Sequence, residues 1–299
     1  MSLPGPPKGE SRSAQHEGTP VSGELLLDAR VVSKHFGGLK AVSEVSLQVR
    51  RGEIVSIIGP NGAGKTTFFN LLTGQLAPTH GEVVFLGQTI NLLAPHRRAQ
   101  MGMGRTFQIA KPLIALNALE NVMIGSFLHD APMGRARDKA FAVLERVGMA
   151  HLAGRRAGDL TLSERRRLEV ARALALQPQI VLLDEVMAGL NQAEVGREIE
   201  LLKSLHAEGL TFLIIEHNLK VVRAFSDRVV VLDRGVRIAE GTADKILTDP
   251  AVIEAYLGQG HTGTSGASGA SGASGGNGGN GGNGGNGAQA AAAAKETRA

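Results

Sequence analysis

The segment Gly59–Thr67, GPNGAGKTT, brings together three residue types that act jointly on a polyphosphate. Gly59, Gly62 and Gly64 permit a backbone that turns tightly and aims N–H groups inward at anionic oxygens. Lys65 supplies a cation for the β- and γ-phosphates, and the Thr66 hydroxyl suits a Mg2+ shell. Pro60, Asn61, Ala63 and Thr67 complete the same nucleotide-binding set. The spacing is G-x-x-x-x-G-K-[ST], and its meaning depends on context: a strand must precede the loop and a helix must follow it. VSII stands before the loop and an apolar helical stretch, Thr66–Leu72, follows. The positive end of that helix then faces the same anion. A nucleotide is the expected ligand.

A second chemical signal is IVLLDE at Ile180–Glu185. Four apolar residues followed by two acids describe a buried strand that ends at a catalytic edge. Acids also stop strands for purely structural reasons. A phosphate-loop enzyme, however, needs an acid to complete its Mg2+ shell, and Asp184 suits that role, directly or through water. Glu185, one residue on, points differently and suits polarising an attacking water as general base.

The elements that must position these groups are visible in the apolar pattern. Strands are expected at Glu24–Val32 and Ala41–Val49, flanking the turn-like HFGG. Others are expected at Glu53–Ile58, Gly81–Phe85, Ile180–Leu183 and Thr211–Ile215, and a hairpin at Val229–Asp233 and Val236–Glu240 around Arg234-Gly235. Ala136–Val147 carries helical spacing. Strands alternating with helices predict an α/β phosphate-loop core. The early strands predict an added antiparallel β layer, and the middle of the chain a helical subdomain over about 105–175.

Composition bounds the class. Hydrophobic residues make up 42% of the 299, ample for a core, and the net charge of +4 is too small to argue for nucleic acid. With no cysteine, disulfides, thiolate metal sites and cysteine nucleophiles are excluded. No stretch approaches the 18 apolar residues of a membrane span, and the polar N-terminal stretch lacks a signal-peptide core. Residues 1–23 read as a flexible leader and 24–258 as the folded domain. The Gly-, Ala-, Ser- and Asn-rich segment 259–299 reads as a disordered tail.

GPNGAGKTT, with IVLLDE 119 residues beyond Lys65 (184 − 65), resembles the ATP-binding subunits of ABC transporters over 24–258. The resemblance implies that the nucleotide is ATP, and it implies further roles. Gln108 in GRTFQ is the glutamine that senses Mg2+ and γ-phosphate. His217 in LIIEHNL is the switch histidine on γ-phosphate. Phe36 is the aromatic that stacks on adenine. The signature segment, usually LSGGQ, falls at Leu160-Thr161-Leu162-Ser163-Glu164 ahead of ARAL, and it departs from the pattern: Leu162 and Ser163 replace both glycines, and Glu164 replaces Gln. Thr161 still offers a hydroxyl to the ATP of a partner cassette, and Ser163 belongs to the same contact. Thr161 and Glu164 also spell a helix capping box. Asn191 in VMAGLN takes the place of the Asp that crosses the dimer interface.

FGGLKAVSEVSL, GRTFQ, RRLEVARAL, DEVMAGLN and VIEAYLG are similar to the importers of branched-chain amino acids, and importers of urea or short amides look alike. The implied partners are a second ABC cassette, transmembrane permease subunits docking after Gln108 and, indirectly, a solute-binding protein. No nucleic acid is expected. The implied location is the cytoplasmic face of the inner membrane, held peripherally. Soluble ABC ATPases of DNA repair would place coiled coils between loop and acid, and those of translation would carry two cassettes; neither holds here. A weakly hydrolysing cassette paired with an active one is the alternative that the altered signature motivates.

Overall fold

In the computed structural model, which describes residues 23–106, 112–128 and 132–257, the early strands form a sheet of their own. β1 (Leu25–Phe36) and β2 (Leu39–Arg50) pair antiparallel, and β4 (His80–Phe85) and the short β5 (Gln88–Thr89) extend the sheet in the order β2-β1-β4-β5. β1 runs four residues past the expected end at Val32, and only Gly37 and Gly38 turn the hairpin. The periodicity hides this because the ladder shifts register between Ala29 and Val32. Val31 takes φ 47° there, and its N–H is donated to Ser46 Oγ at 2.9 Å rather than to the ladder. A bulge of this kind breaks the two-residue alternation on which a sequence reading depends.

The second sheet has the order β10-β9-β3-β8-β7-β6. Its strands are β3 (Ile54–Ile58), β6 (Met103–Arg105), β7 (Ile180–Asp184), β8 (Thr211–Ile215), β9 (Arg228–Asp233) and β10 (Val236–Gly241). β9, β3, β8, β7 and β6 are parallel, and β10 returns antiparallel on β9. Every residue of β3, β7 and β8 is buried, as strands covered on both faces must be, which is why they read as unbroken apolar runs.

Nine α-helices complete the described residues. α1 (Lys65–Leu72) lies between the sheets, with Phe68, Phe69, Leu71 and Leu72 packed into a cluster that takes Leu27 from β1, Val45 from β2 and Ile57 from β3. Its far end is held by α2 (Pro95–Gln100), which carries Arg98, only 1% exposed. The Arg98 guanidinium donates to the Leu71 and Leu72 carbonyls at 2.8 and 2.6 Å and to the Ile90 and Leu93 carbonyls. Burial lowers its pKa to about 10. A cation on the last carbonyls of α1 satisfies orphan acceptors and complements the negative end of the helix.

α3 (Ala118–Ser126), α4 (Met133–Arg146) and α5 (Leu162–Leu174) lie between β6 and β7 in the chain. Their apolar faces (Val122, Ala140, Leu144, Leu168) join one cluster with Val181 and Leu183 of β7. α6 (Gln192–Ala207) follows β7, and α7 (Leu219–Phe225) follows β8. α8 (Ala243–Leu247) and α9 (Pro250–Leu257) close the described chain. Among the described residues, no helix is long and apolar enough to cross a membrane.

Candidate active site

The phosphate loop joins the end of β3 to the start of α1, and its glycines are demanded by geometry. Gly59 has φ 148°, and a Cβ there would stand 2.0 Å from the Leu232 carbonyl oxygen of β9. Gly64 has φ 95°, and a Cβ would meet the Ala41 carbonyl oxygen at 2.4 Å. At Gly62 nothing lies within 4 Å, so there the demand is on φ, 79°, alone. Gly64 is also the N-cap of α1 and offers no side-chain cap, which leaves the first-turn N–H groups of the helix to a ligand. Lys65 is 7% exposed and donates from Nζ to the Gly59 and Pro60 carbonyls at 2.7 and 2.9 Å. Burial lowers its pKa, against the pull of the Glu185 and Asp184 carboxylates. An ammonium has three donors, so with two spent on the loop the third remains for an anion.

Asp184 ends β7 with 1% exposure. Its N–H is donated to Thr106 Oγ1 at 3.2 Å, and its Oδ2 lies 3.6 Å from Arg105 Nη2. Arg105 in turn donates from Nη1 to Thr73 Oγ1 at 2.6 Å. Asp184 Oδ1 is buried without a hydrogen-bond partner. Burial pushes the Asp184 carboxyl up, and Arg105 and Lys65 oppose the shift. A buried carboxylate oxygen without a hydrogen-bond partner is what a hard cation would complete.

Glu185 sits at φ 52°, a conformation that non-glycine residues rarely adopt and that clusters where structure serves function. Its N–H is donated to the Ile215 carbonyl at 3.1 Å, tying it to the end of β8. His217 follows that strand, half-exposed, with Nδ1 3.4 Å from Glu185 Oε1. Between them in sequence, Glu216 is 2% exposed; burial pushes its carboxyl up, while His217 and the backbone N–H groups of Met187 and His217 favour the charge. Lys65, Asp184, Glu185 and His217 thus meet at the carboxyl ends of three neighbouring parallel strands, β3, β7 and β8.

A cleft of about 570 Å3 opens over the loop, lined by Phe36, Leu39, Lys40, Asn61, Thr66, Thr67, Glu185 and Arg234 among others. Phe36 is 47% exposed at the β1–β2 turn, an unusual setting for an aromatic with a core role, and Lys34 Nζ stands 5.3 Å from its ring centroid. The sequence reading missed Lys40 and Arg234 as lining residues, and Arg105, Thr106 and Glu216 as partners. The last three sit inside motifs already singled out, GRTFQ and EHN. Lys40, near the start of β2, and Arg234, in the turn between β9 and β10, reach the cleft from different sheets, and no local spacing connects them.

Thr161 and Asn191 are both helix N-caps. Glu164 donates its N–H to Thr161 Oγ1 at 3.3 Å and receives the Thr161 N–H on Oε2 at 2.7 Å, the capping box expected from the sequence. Asn191 and Glu194 make the same reciprocal pair at the start of α6. Leu162 and Ser163 lie in the first turn of α5 at ordinary negative φ. Gln108 lies outside the described residues.

A glycine loop feeding a buried parallel sheet, with an acidic pair at a neighbouring strand end, defines a phosphate-loop nucleotide-binding protein. Comparison with known proteins narrows this class. The ABC transporter family matches residues 42–188, and the branched-chain amino acid ATP-binding cassette transporter family matches 236–262. The chain is 41% identical over 250 residues to the high-affinity branched-chain amino acid transport ATP-binding protein LivG of Salmonella typhimurium, covering 78% of this chain and 98% of that one. It is 37% identical over 245 residues to the probable LivG protein of Archaeoglobus fulgidus, covering 78% and 95%. A nucleotide-free ATP-binding cassette from an ABC transporter superposes with TM-score 0.72 at 34% identity, covering 78% of this chain and 99% of the other. A dimeric post-hydrolysis cassette bound to ADP and Pi superposes with TM-score 0.67 at 27% identity, covering 73% and 99%. The chain belongs to the ATP-binding subunits of ABC transporters, in the branched-chain amino acid branch, and is an ATPase of that type.

Proposed function

We propose that this ATPase energises an importer of branched-chain or related amino acids from the cytoplasmic face of the membrane, as one of two cassettes docked on permease subunits. The observation that carries the hydrolytic part is the meeting of Lys65, Asp184, Glu185 and His217 at three adjacent strand ends. Lys65 and the N-terminus of α1 hold the phosphates. Thr66 and Asp184 hold Mg2+, directly or through water, and Gln108 joins them; the metal neutralises charge on the outer phosphates. The unpartnered Asp184 Oδ1 fits that role. Glu185, fixed in a strained backbone, orients and deprotonates the attacking water, and His217 beside it contacts the γ-phosphate. Phe36 stacks on the adenine.

Thr161 and Ser163, at the N-terminal end of α5, act on the ATP of the second cassette. Thr161 spends an acceptor lone pair on its own cap and keeps its O–H as a donor to phosphate. Asn191 stands at the interface between cassettes. The domain spans 24–258, with the helical subdomain at about 105–175. The solute assignment is supported by the names of the relatives and by the match over 236–262.

The test is Glu185→Gln. It leaves the phosphate cradle whole and removes the base, so ATP binding persists while turnover falls about 10²- to 10⁴-fold. Turnover at the wild-type rate would refute the assignment of Glu185.

A further inference from the structure

VIEAYLG, at the end of the described chain, has no part in the site as built so far. Its tyrosine, Tyr256, lies in α9. The ring packs, half-buried, on a small apolar cluster made of Ile58, Val222, Val229, Val231, Ala239 and Val252 among others. Ile58 is the last residue of β3, immediately before the phosphate loop, and Leu219 of α7, two residues past His217, packs on the same cluster. α9 therefore rests at the base of the loop rather than on a distant face.

The hydroxyl makes the placement specific. Its oxygen is shut off from solvent and makes no hydrogen bond, although the ring packs beside the strand end that leads into Gly59. Burial raises the Tyr256 pKa, and the Gly59 backbone opposes the shift. Gly59 is crowded by the Leu232 carbonyl where a Cβ would stand, and its own carbonyl accepts the Lys65 ammonium at 2.7 Å. The Gly59 peptide is thus confined by β9 and by Lys65, with the unpartnered Tyr256 hydroxyl on the cluster below. A buried phenol hydroxyl without an aligned partner is costly unless a modest movement completes its bond.

We propose that Tyr256 is a positioning residue for ATP: its hydroxyl steadies the Gly59 backbone from beneath, sets the loop that holds Lys65, and makes α9 responsive to nucleotide. This rests on the nucleotide reading of the phosphate loop. A ligand that draws Lys65 away from the Gly59 carbonyl alters the peptide on which Tyr256 sits, and the change passes to α9.

The chain contains one tyrosine and no tryptophan, so its tyrosine emission comes from Tyr256 alone. The full chain with Mg2+ is titrated with the non-hydrolysable analogue AMP-PNP, following tyrosine emission (corrected for adenine absorption) and, in parallel, binding heat. The emission should change saturably and in step with the heat. Tyr256→Phe keeps the ring and removes only the hydroxyl. It should weaken AMP-PNP binding and raise KM for ATP about 3- to 10-fold, the worth of one hydrogen bond, with kcat and melting temperature retained. Binding heat with flat emission, or wild-type affinity in Tyr256→Phe, would overturn the inference alone. A fall in melting temperature with unchanged affinity would reduce Tyr256 to a packing residue and overturn it equally. Absence of binding heat in the wild type would overturn the nucleotide reading, and this inference with it.

Discussion

The phosphate loop and the segment Leu160–Glu164 both present a helix N-terminus to a phosphate in the proposed reading, yet they tolerate change very differently. The loop needs φ values of 148°, 79° and 95° at its three glycines, and at two of them backbone oxygens occupy the space of a side chain. Glycine is therefore spelled out at each. The start of α5 needs nothing of the kind. Thr161 has φ −63° and ψ 168°, and Leu162 and Ser163 continue at ordinary helical values. The two glycines of the usual signature are not required by this backbone, so their replacement removes no essential conformation. The lesson is that a departure from a motif matters in proportion to how far the replaced residue stood from the ordinary regions of φ and ψ.

The contrast can be broken by substitution. Gly59→Ala should have the largest effect. Its Cβ would collide with the Leu232 carbonyl, and a φ of 148° adds strain of roughly 1–3 kcal/mol. Urea unfolding should show at least that loss, and calorimetry should show no nucleotide binding; an alanine variant that still binds ATP would mean that the loop has slack. Thr161→Ala should cost about 1 kcal/mol of stability through the lost cap. Turnover of the assembled cassettes should fall as well, because the hydroxyl donor goes with the cap. A stability loss with unaltered turnover would reduce Thr161 to a cap.

Ser163→Gly sharpens the same comparison from the other side, since it restores one of the usual glycines. It should destabilise by less than about 1 kcal/mol, as glycine does in a helix. Because the contact of residue 163 with phosphate, in the proposed reading, is made by its backbone N–H, which glycine keeps, turnover should change by less than about twofold, which is under ~0.4 kcal/mol in barrier height. A large rise in turnover would show that the signature limits this enzyme after all. Deletion of residues 261–299, at the far end of the scale, should leave the melting temperature where it was, because a Gly-, Ser- and Asn-rich segment has little apolar surface to bury. A clear drop in a thermal scan would assign that segment a packing role.

Much of the site was legible because its chemistry is local. GPNGAGKTT encodes a turn, a cation and a hydroxyl within nine residues, and IVLLDE encodes a buried strand with acids at its end. The strands β3, β7 and β8 were legible for the same reason: burial on both faces writes unbroken apolar runs. β1 was read short because the bulge near Val31 disturbs its alternation. Arg98 gave no signal at all. A charged residue in a polar stretch reads as solvated, and only the tertiary structure shows it closing the end of α1 on the Leu71 and Leu72 carbonyls while it binds those of Ile90 and Leu93.

The sequence by itself determined which groups this protein can bring to a phosphate and a water, because those groups are coded by residue type at short spacing. Only the tertiary structure decided which distant residues complete them. Arg105 reaches Asp184 across 79 residues (184 − 105), His217 reaches Glu185 because β7 and β8 are neighbours, and Tyr256 of α9 packs on the same apolar cluster as Ile58 at the end of β3. Strand order and helix return are set by the packing of apolar faces, and apolar faces specify that a surface is covered without naming what covers it.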